Sequence, residues 1–167
     1  QILPEFMVAS AKKEGINDEI VVLTATSGDT GKAALEGFAN KDGIKIIVFF
    51  PTDGVSEVQR MQMITQLGEN THVVAIKGNF DDAQSGVKEI FNDKDFANLM
   101  KLNNKVFSSA NSINIGRLVP QIVYYFHGYF ELVRKNEIKN GEKVNIAVPT
   151  GNFGNILASY YAFKMGL

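Results

Sequence analysis

A chain of 167 residues holds one domain, or one domain and the start of a second, and its 45% hydrophobic and 21% charged content is that of a folded globular protein. Lys and Arg number 17 against 18 Asp and Glu, a net charge of -1 with no basic run, which argues against a nucleic-acid partner. Cysteine is absent and the two histidines, His72 and His127, lie far apart, so disulfides and thiolate chemistry are excluded and no metal site is expected.

The residues from Gln1 to about Lys13 read as a helix already begun, without a charged leader or cleavage site, so the chain is expected to be a piece cut from a longer one. Strands are predicted at 20–25, 45–50, 72–76 and 104–108, each a short run rich in β-branched and aromatic residues. Pro51 stops the second. Helices are expected over 30–40, over 55–66 with Gly68 as its C-cap, and over 81–99 as one piece. Asp81 and Asp82 suit the start of the last of these, whereas Asp93-Lys94-Asp95 reads as a solvated face. A long helix follows over 116–136, then a fifth strand at 143–148 and a final helix from Gly154. The stretch 118–133 is the most apolar, but it carries His127 and Glu131 and falls short of the roughly 20 residues a membrane span requires, so no membrane partner is expected. Its aromatic cluster, Tyr124 to Phe130, fits a core or a subunit interface, and both histidines read as satisfied structural residues.

Strands alternating with helices at this spacing define an α/β fold, a parallel sheet with helices on both faces. The expected division is a small domain over 1–117 with an open parallel sheet, then over 118–167 a linking helix and the start of a second, larger α/β domain. In such sheets ligands bind outside the carboxyl ends of the strands, so the three loops there are the candidate sites.

The first, Thr26-Ser27-Gly28-Asp29-Thr30-Gly31-Lys32, opens into a helix whose N-terminal N–H groups invite an anion. It fails as a nucleotide P-loop at Thr26 and Ala33, and a simple turn capped by Asp29 or Thr30 explains it as well. The second runs from Ser109 to Arg117, with Asn111, Ser112 and Asn114 as neutral hydrogen-bonding groups and Arg117 as a fork for phosphate or carboxylate, or as a plain surface arginine. The third, Thr150-Gly151-Asn152-Phe153-Gly154-Asn155, is either a phosphate cradle or a structural turn.

Taken together and in order, the three loops resemble those of threonine synthase, in the β-family (fold type II) of pyridoxal-phosphate enzymes. Leu23 to Gly31 is similar to the family's first signature in its Asp29-containing form; other members carry Asn there. Ser109 to Arg117 and Pro149 to Asn155 are similar to the second and third. The resemblance implies conversion of O-phospho-L-homoserine and water to L-threonine and phosphate, pyridoxal 5'-phosphate as cofactor, and a cytoplasmic enzyme. It implies cofactor-phosphate contacts from Gly151, Asn152, Phe153, Gly154 and Asn155. Substrate contacts fall on Ser27, Gly28, Asp29 and Thr30, and substrate-phosphate contacts on Asn111, Ser112, Asn114 and Arg117. The Schiff-base lysine of the family's Phe-Lys-Asp motif is expected just before Gln1, so this chain carries no catalytic residue and is expected to be inactive alone. Two alternatives remain: another lyase of the same cofactor family, of threonine dehydratase or cysteine synthase type, and a non-catalytic α/β module that binds a phosphorylated metabolite.

Overall fold

Strand β1 (Glu19–Ala25) is buried along six of its seven positions, which requires neighbours on both edges and helices on both faces. The computed structural model supplies them; it describes residues 2–111, 114–149 and 153–167. Strands β2 (Ile44–Pro51), β3 (Thr71–Ile76) and β4 (Lys105–Ser109) complete a four-stranded sheet of order β3-β2-β1-β4. Every pairing is parallel, with Val22 opposite Ile46 and Ser108, and Val48 opposite Val73. The four expected strands and the α/β class are thus observed.

Alternation of side chains distributes the core between the two faces. Ile20 and Val22 join Ile44, Ile46, Val48 and Phe50 beneath Leu35 and Phe38 of α2 (Asp29–Phe38) and Met63 of α3 (Glu57–Ile64). The helix α1 (Ile2–Glu14) lays Leu3, Met7, Val8 and Ala11 against that same cluster. On the opposite face Val21, Leu23 and Ala25 meet Ala83 and Val87 of α4 (Phe80–Asn92). Phe107 packs there between Phe91 and Phe96, with ring centroids 6.0 and 5.4 Å away.

Two helix boundaries differ from expectation, each for a local reason. The segment expected as one helix over 81–99 divides at Asp93, whose extended backbone ends α4 and whose carboxylate accepts from Phe96 N (2.9 Å) to start α5 (Lys94–Leu102). Asp93-Lys94-Asp95 is exposed, the solvated face expected, and it is also a helix junction. Thr65, not Gly68, is the C-cap of α3; Gly68, at φ +151°, turns the chain towards β3.

The chain forms two compact units, Gln1–Asn111 and Ser112–Leu167. In the second, α6 (Ile115–Arg134) packs with α7 (Gly154–Lys164). The expected fifth strand at 143–148 runs there without strand pairing and is exposed along most of its length. A strand exists only through its ladder, and no neighbouring strand is present among the described residues of this unit.

At the amino end of the sheet, Glu19 of β1 bridges Lys105 of β4 and Lys45 of β2, the latter at 3.5 Å. The Lys105 hydrogen bond, aided by the Lys45 charge, holds the Glu19 carboxyl below the usual carboxylate range. A lowered folded value means that this contribution is present above the ordinary carboxylate pKa and is lost as pH falls through the folded one. Glu19→Gln is expected to cost about 0.5–1 kcal/mol at pH 7. Urea unfolding should show that difference shrinking as the pH is lowered from 7 through the ordinary carboxylate range and on through the lowered folded value.

Candidate functional site

The chain lays β1, β2 and β3 outward in succession and then returns to place β4 on the other edge of β1. The strand order reverses between β1 and β4, and the carboxyl end of that pair is the switch point where open α/β sheets bind ligands. Both strands of the pair lead there into a candidate loop.

Thr26 organises the first loop. Buried to 1% exposure, its Oγ1 accepts from Gly28 N (3.0 Å) and Gly31 N (2.9 Å) and donates to the Gly28 carbonyl oxygen (3.1 Å). The residue that breaks the nucleotide P-loop pattern is the one that shapes this turn. Gly28, at φ +148°, is the N-cap of α2, and a Cβ there would lie 2.4 Å from Gln59 Nε2. A Cβ on Gly31 would lie 2.6 Å from Thr26 Cγ2 and 2.7 Å from Met63 Sδ. Neither position admits a side chain. Asp29 and Thr30 do not cap α2 as one reading expected: Asp29 is its first residue, and its Oδ1 accepts from Gln59 Nε2 (2.8 Å).

Asn111, at the end of β4, reaches back to the end of β1. Its Oδ1 accepts from Ala25 N (3.0 Å) and its Nδ2 donates to the Ala25 carbonyl oxygen (2.8 Å). One amide thus satisfies both main-chain groups of Ala25 where the strand gives way to loop. It retains one N–H and one lone pair for anything bound above. This unit therefore gathers Ser27, Gly28, Asp29, Thr30 and Asn111 at one edge. Ser27 is exposed and Gly28 buried.

The second unit holds the other candidates. Asn114 caps α6 by accepting from Gly116 N (2.8 Å), and Arg117 sits in the first turn, half-buried. Burial pushes the Arg117 guanidinium below its ordinary pKa, though an arginine stays protonated. One turn on, Gln121 donates to the Arg117 carbonyl oxygen (2.6 Å) and accepts from Asn155 Nδ2 (3.2 Å). A further turn on, the Tyr125 hydroxyl donates to the Asn155 carbonyl oxygen (2.9 Å) and also contacts Oδ1. Gln121 and Tyr125 went unremarked as site-building residues, yet their spacing of four and eight from Arg117 marks one helix face.

Helix α7 begins at Gly154 with Phe153 as N-cap, a side chain with no acceptor for the first-turn N–H groups. Beside it lies an open cleft of about 470 Å³, lined by Tyr124, Tyr125, Val148, Pro149 and Asn155 among others. Gly151 and Asn152, like Ser112, lie outside the described residues. The parts that are described fit a phosphate: a helix N-terminus opening on glycine, no capping side chain from Phe153, and an Asn155 amide turned aside onto α6. His72 and His127 are exposed rather than packed. Among the described residues no cluster of His, Asp and Glu could hold a metal ion, and no helix is long and apolar enough to cross a membrane.

A polar turn at the switch point of an open parallel sheet and, in the second unit, an uncapped helix N-terminus that opens on glycine are features that a phosphorylated cofactor can use, and the chain belongs to the pyridoxal-phosphate dependent enzymes: that family's model matches residues 4–167. Within the family it is similar to threonine synthases. It is 47% identical over 150 residues to threonine synthase of Pseudomonas aeruginosa, covering 90% of this chain and 30% of that one. To threonine synthase-like 1 of Homo sapiens it is 46% identical over 153 residues, 88% of this chain and 21% of the relative. The structure of a pyridoxal-phosphate-bound threonine synthase from Brucella melitensis superposes with a TM-score of 0.77 at 40% identity, over 98% of this chain and 32% of that one. The chain thus spans about a fifth to a third of the length of these relatives. The resemblance drawn from the three loops holds, and with it pyridoxal phosphate as the family's cofactor.

Replacing Thr26 by Val keeps the shape and removes the oxygen that two buried N–H groups share. Thr26→Val is expected to destabilise the chain by about 1–3 kcal/mol, whereas Thr26→Ser, which keeps the hydroxyl, should lose clearly less. Equilibrium urea unfolding of the three forms decides it; a Val variant as stable as wild type contradicts the assignment.

Proposed function

We propose that the protein containing these residues converts O-phospho-L-homoserine and water to L-threonine and phosphate, and that its cytoplasmic setting is that of an amino-acid biosynthetic enzyme. The observation that carries this reading is Arg117, a half-buried guanidinium at the head of α6 in a chain 40–47% identical to threonine synthases. A cation partly withdrawn from water gains more from an anion than an exposed one does. Its planar fork suits the phosphate that leaves in this reaction, and Asn114 adds a neutral hydrogen-bonding group.

When bound, pyridoxal phosphate supplies the electron sink that a carbanion at Cα and then at Cβ of the substrate requires. Of this chain's residues, Gly154 and Asn155 would hold the cofactor phosphate through main-chain N–H groups, with Phe153, Gly151 and Asn152 in the preceding turn. The Gln121 and Tyr125 bonds keep Asn155 and the α7 start in register with α6, the helix that carries Arg117. Ser27 to Thr30 would contact the substrate, and their buried Thr26 anchor fixes them before it arrives. In domain terms, residues 1–117 would form the small domain and 118–167 the start of the larger, cofactor-holding one.

None of the chain's lysines stands where the family's motif would place the reacting one. Lys12 and Lys13 close the last turn of α1, Lys32 pairs with Glu36 at 2.8 Å, and Lys45 and Lys105 meet Glu19 at the amino end of the sheet. The 167-residue chain by itself is therefore expected to form no threonine. Turnover by the purified chain, or borohydride fixation of pyridoxal phosphate on a single lysine in it, would refute this.

In the full-length protein, Arg117→Ala removes a charge-assisted contact worth about 1.5–3 kcal/mol. That corresponds to a loss of about ten- to a hundred-fold in kcat/KM for O-phospho-L-homoserine, with cofactor absorbance retained. Arg117→Lys should recover part, since the charge returns without the fork. Unchanged kcat/KM, or loss of the cofactor in place of activity, would assign Arg117 elsewhere.

A further inference from the structure

One side chain reaches into the Ser27–Thr30 turn from a different helix and has no part in the function proposed above. Gln59 is the third residue of α3. Its Oε1 accepts from Ser56 N (3.1 Å) and lies 3.1 Å from the Ser56 hydroxyl, while Ser56 Oγ accepts from Gln59 N (3.2 Å), closing a capping box. The box fixes Oε1 towards the start of α3, so Nε2 must face the other way. There it donates to Asp29 Oδ1 at 2.8 Å. The amide also lies flat against Gly28: a Cβ on that glycine would stand 2.4 to 2.7 Å from Gln59 Nε2, Cδ and Oε1.

The electrostatics of the turn give this contact a purpose. Asp29 is the first residue of α2, a place where a carboxylate complements the helix dipole and competes with any incoming anion for the same N–H groups. With Oδ1 held by Gln59, that carboxylate is restrained on the α3 side of the turn. We infer that Gln59 is a positioning residue for the Ser27–Thr30 turn: seated on Gly28 and bonded to Asp29, it keeps the turn's main-chain donors in place for an anionic group of the substrate. Gln59 itself touches no ligand. The inference rests on the reading of Ser27 to Thr30 as substrate contacts.

Gln59→Glu separates this role from helix capping. Glutamate closes the same Ser-x-x-Glu capping box, so α3 keeps its start, but it offers Asp29 no donor and sets two carboxylates against each other. In the full-length protein, Gln59→Glu is expected to raise KM for O-phospho-L-homoserine about ten-fold with kcat within about two-fold. Amide exchange at residues 27–31 should quicken about five-fold or more while α3 keeps its protection. Gln59→Ala, which loses the box as well, should quicken exchange in both places. A Gln59→Glu variant with wild-type KM, or with unchanged exchange at 27–31, overturns the inference. So does a loss of α3 protection in Gln59→Glu equal to that in Gln59→Ala, which would leave Gln59 a helix cap alone. If the wild-type protein forms no threonine from phosphohomoserine, the proposed function fails, and the exchange measurement alone decides whether Gln59 holds the turn.

Discussion

The constraint on which this structure turns is the burial of β1 on both faces and both edges. A central strand can satisfy its main-chain groups only through its neighbours, and the difficulty comes at its carboxyl end, where the ladder runs out but burial does not. Ala25 is 1% exposed and Thr26 equally so. Asn111 meets the polar groups of Ala25, the Phe49 carbonyl oxygen accepts from Thr26 N (2.9 Å), and the Thr26 hydroxyl meets those of Gly28 and Gly31. The residues that answer the folding requirement are those that shape the candidate site. A polar turn must stand at this point for the strand to end, and an anion-binding turn is one way to build it.

The second unit solves a different problem with similar means. Its two helices have no sheet to lie on among the described residues, and the contact between them is polar at the point that matters: Gln121 and Tyr125 hold Asn155 from consecutive turns of α6. A purely apolar contact would let α7 slide or rotate on α6, because apolar packing is not directional. Hydrogen bonds to one asparagine, through both its main chain and its side chain, set the register at the end of α7 where the proposed phosphate cradle begins.

Much of this was legible in the sequence because it depends on local pattern. The runs 20–25, 45–50 and 72–76 show continuous or alternating burial, the period that parallel strands impose, and Pro51 marks a stop because it lacks a donor. The first two loops were legible as polar segments at the ends of β1 and β4. What the sequence did not disclose was which side chains serve the loop and which serve a ligand. Thr26 looked like a departure from a pattern, Asp29 looked like a cap, and Gln59 lies thirty residues from the carboxylate it holds. Such pairings follow from the packing of α3 against α2, and no spacing rule records them. The cap at Asp93 was missed because a solvated charge and an N-cap have the same composition. The segment 143–148 was misread for the opposite reason: the β pattern is present, but pairing is a property of two strands.

That last segment carries a consequence for the chain handled by itself. Val144 and Ile146 are 37% and 47% exposed in a segment that pairs with no strand among the described residues. An unpaired, β-branched edge of this kind is a template for another copy of itself, and neither a proline nor a bulge interrupts the six residues. Lys143 alone supplies a gatekeeping charge. With a net charge of only -1 to keep copies apart, these six residues give the isolated chain a local route to self-association that its average composition does not show.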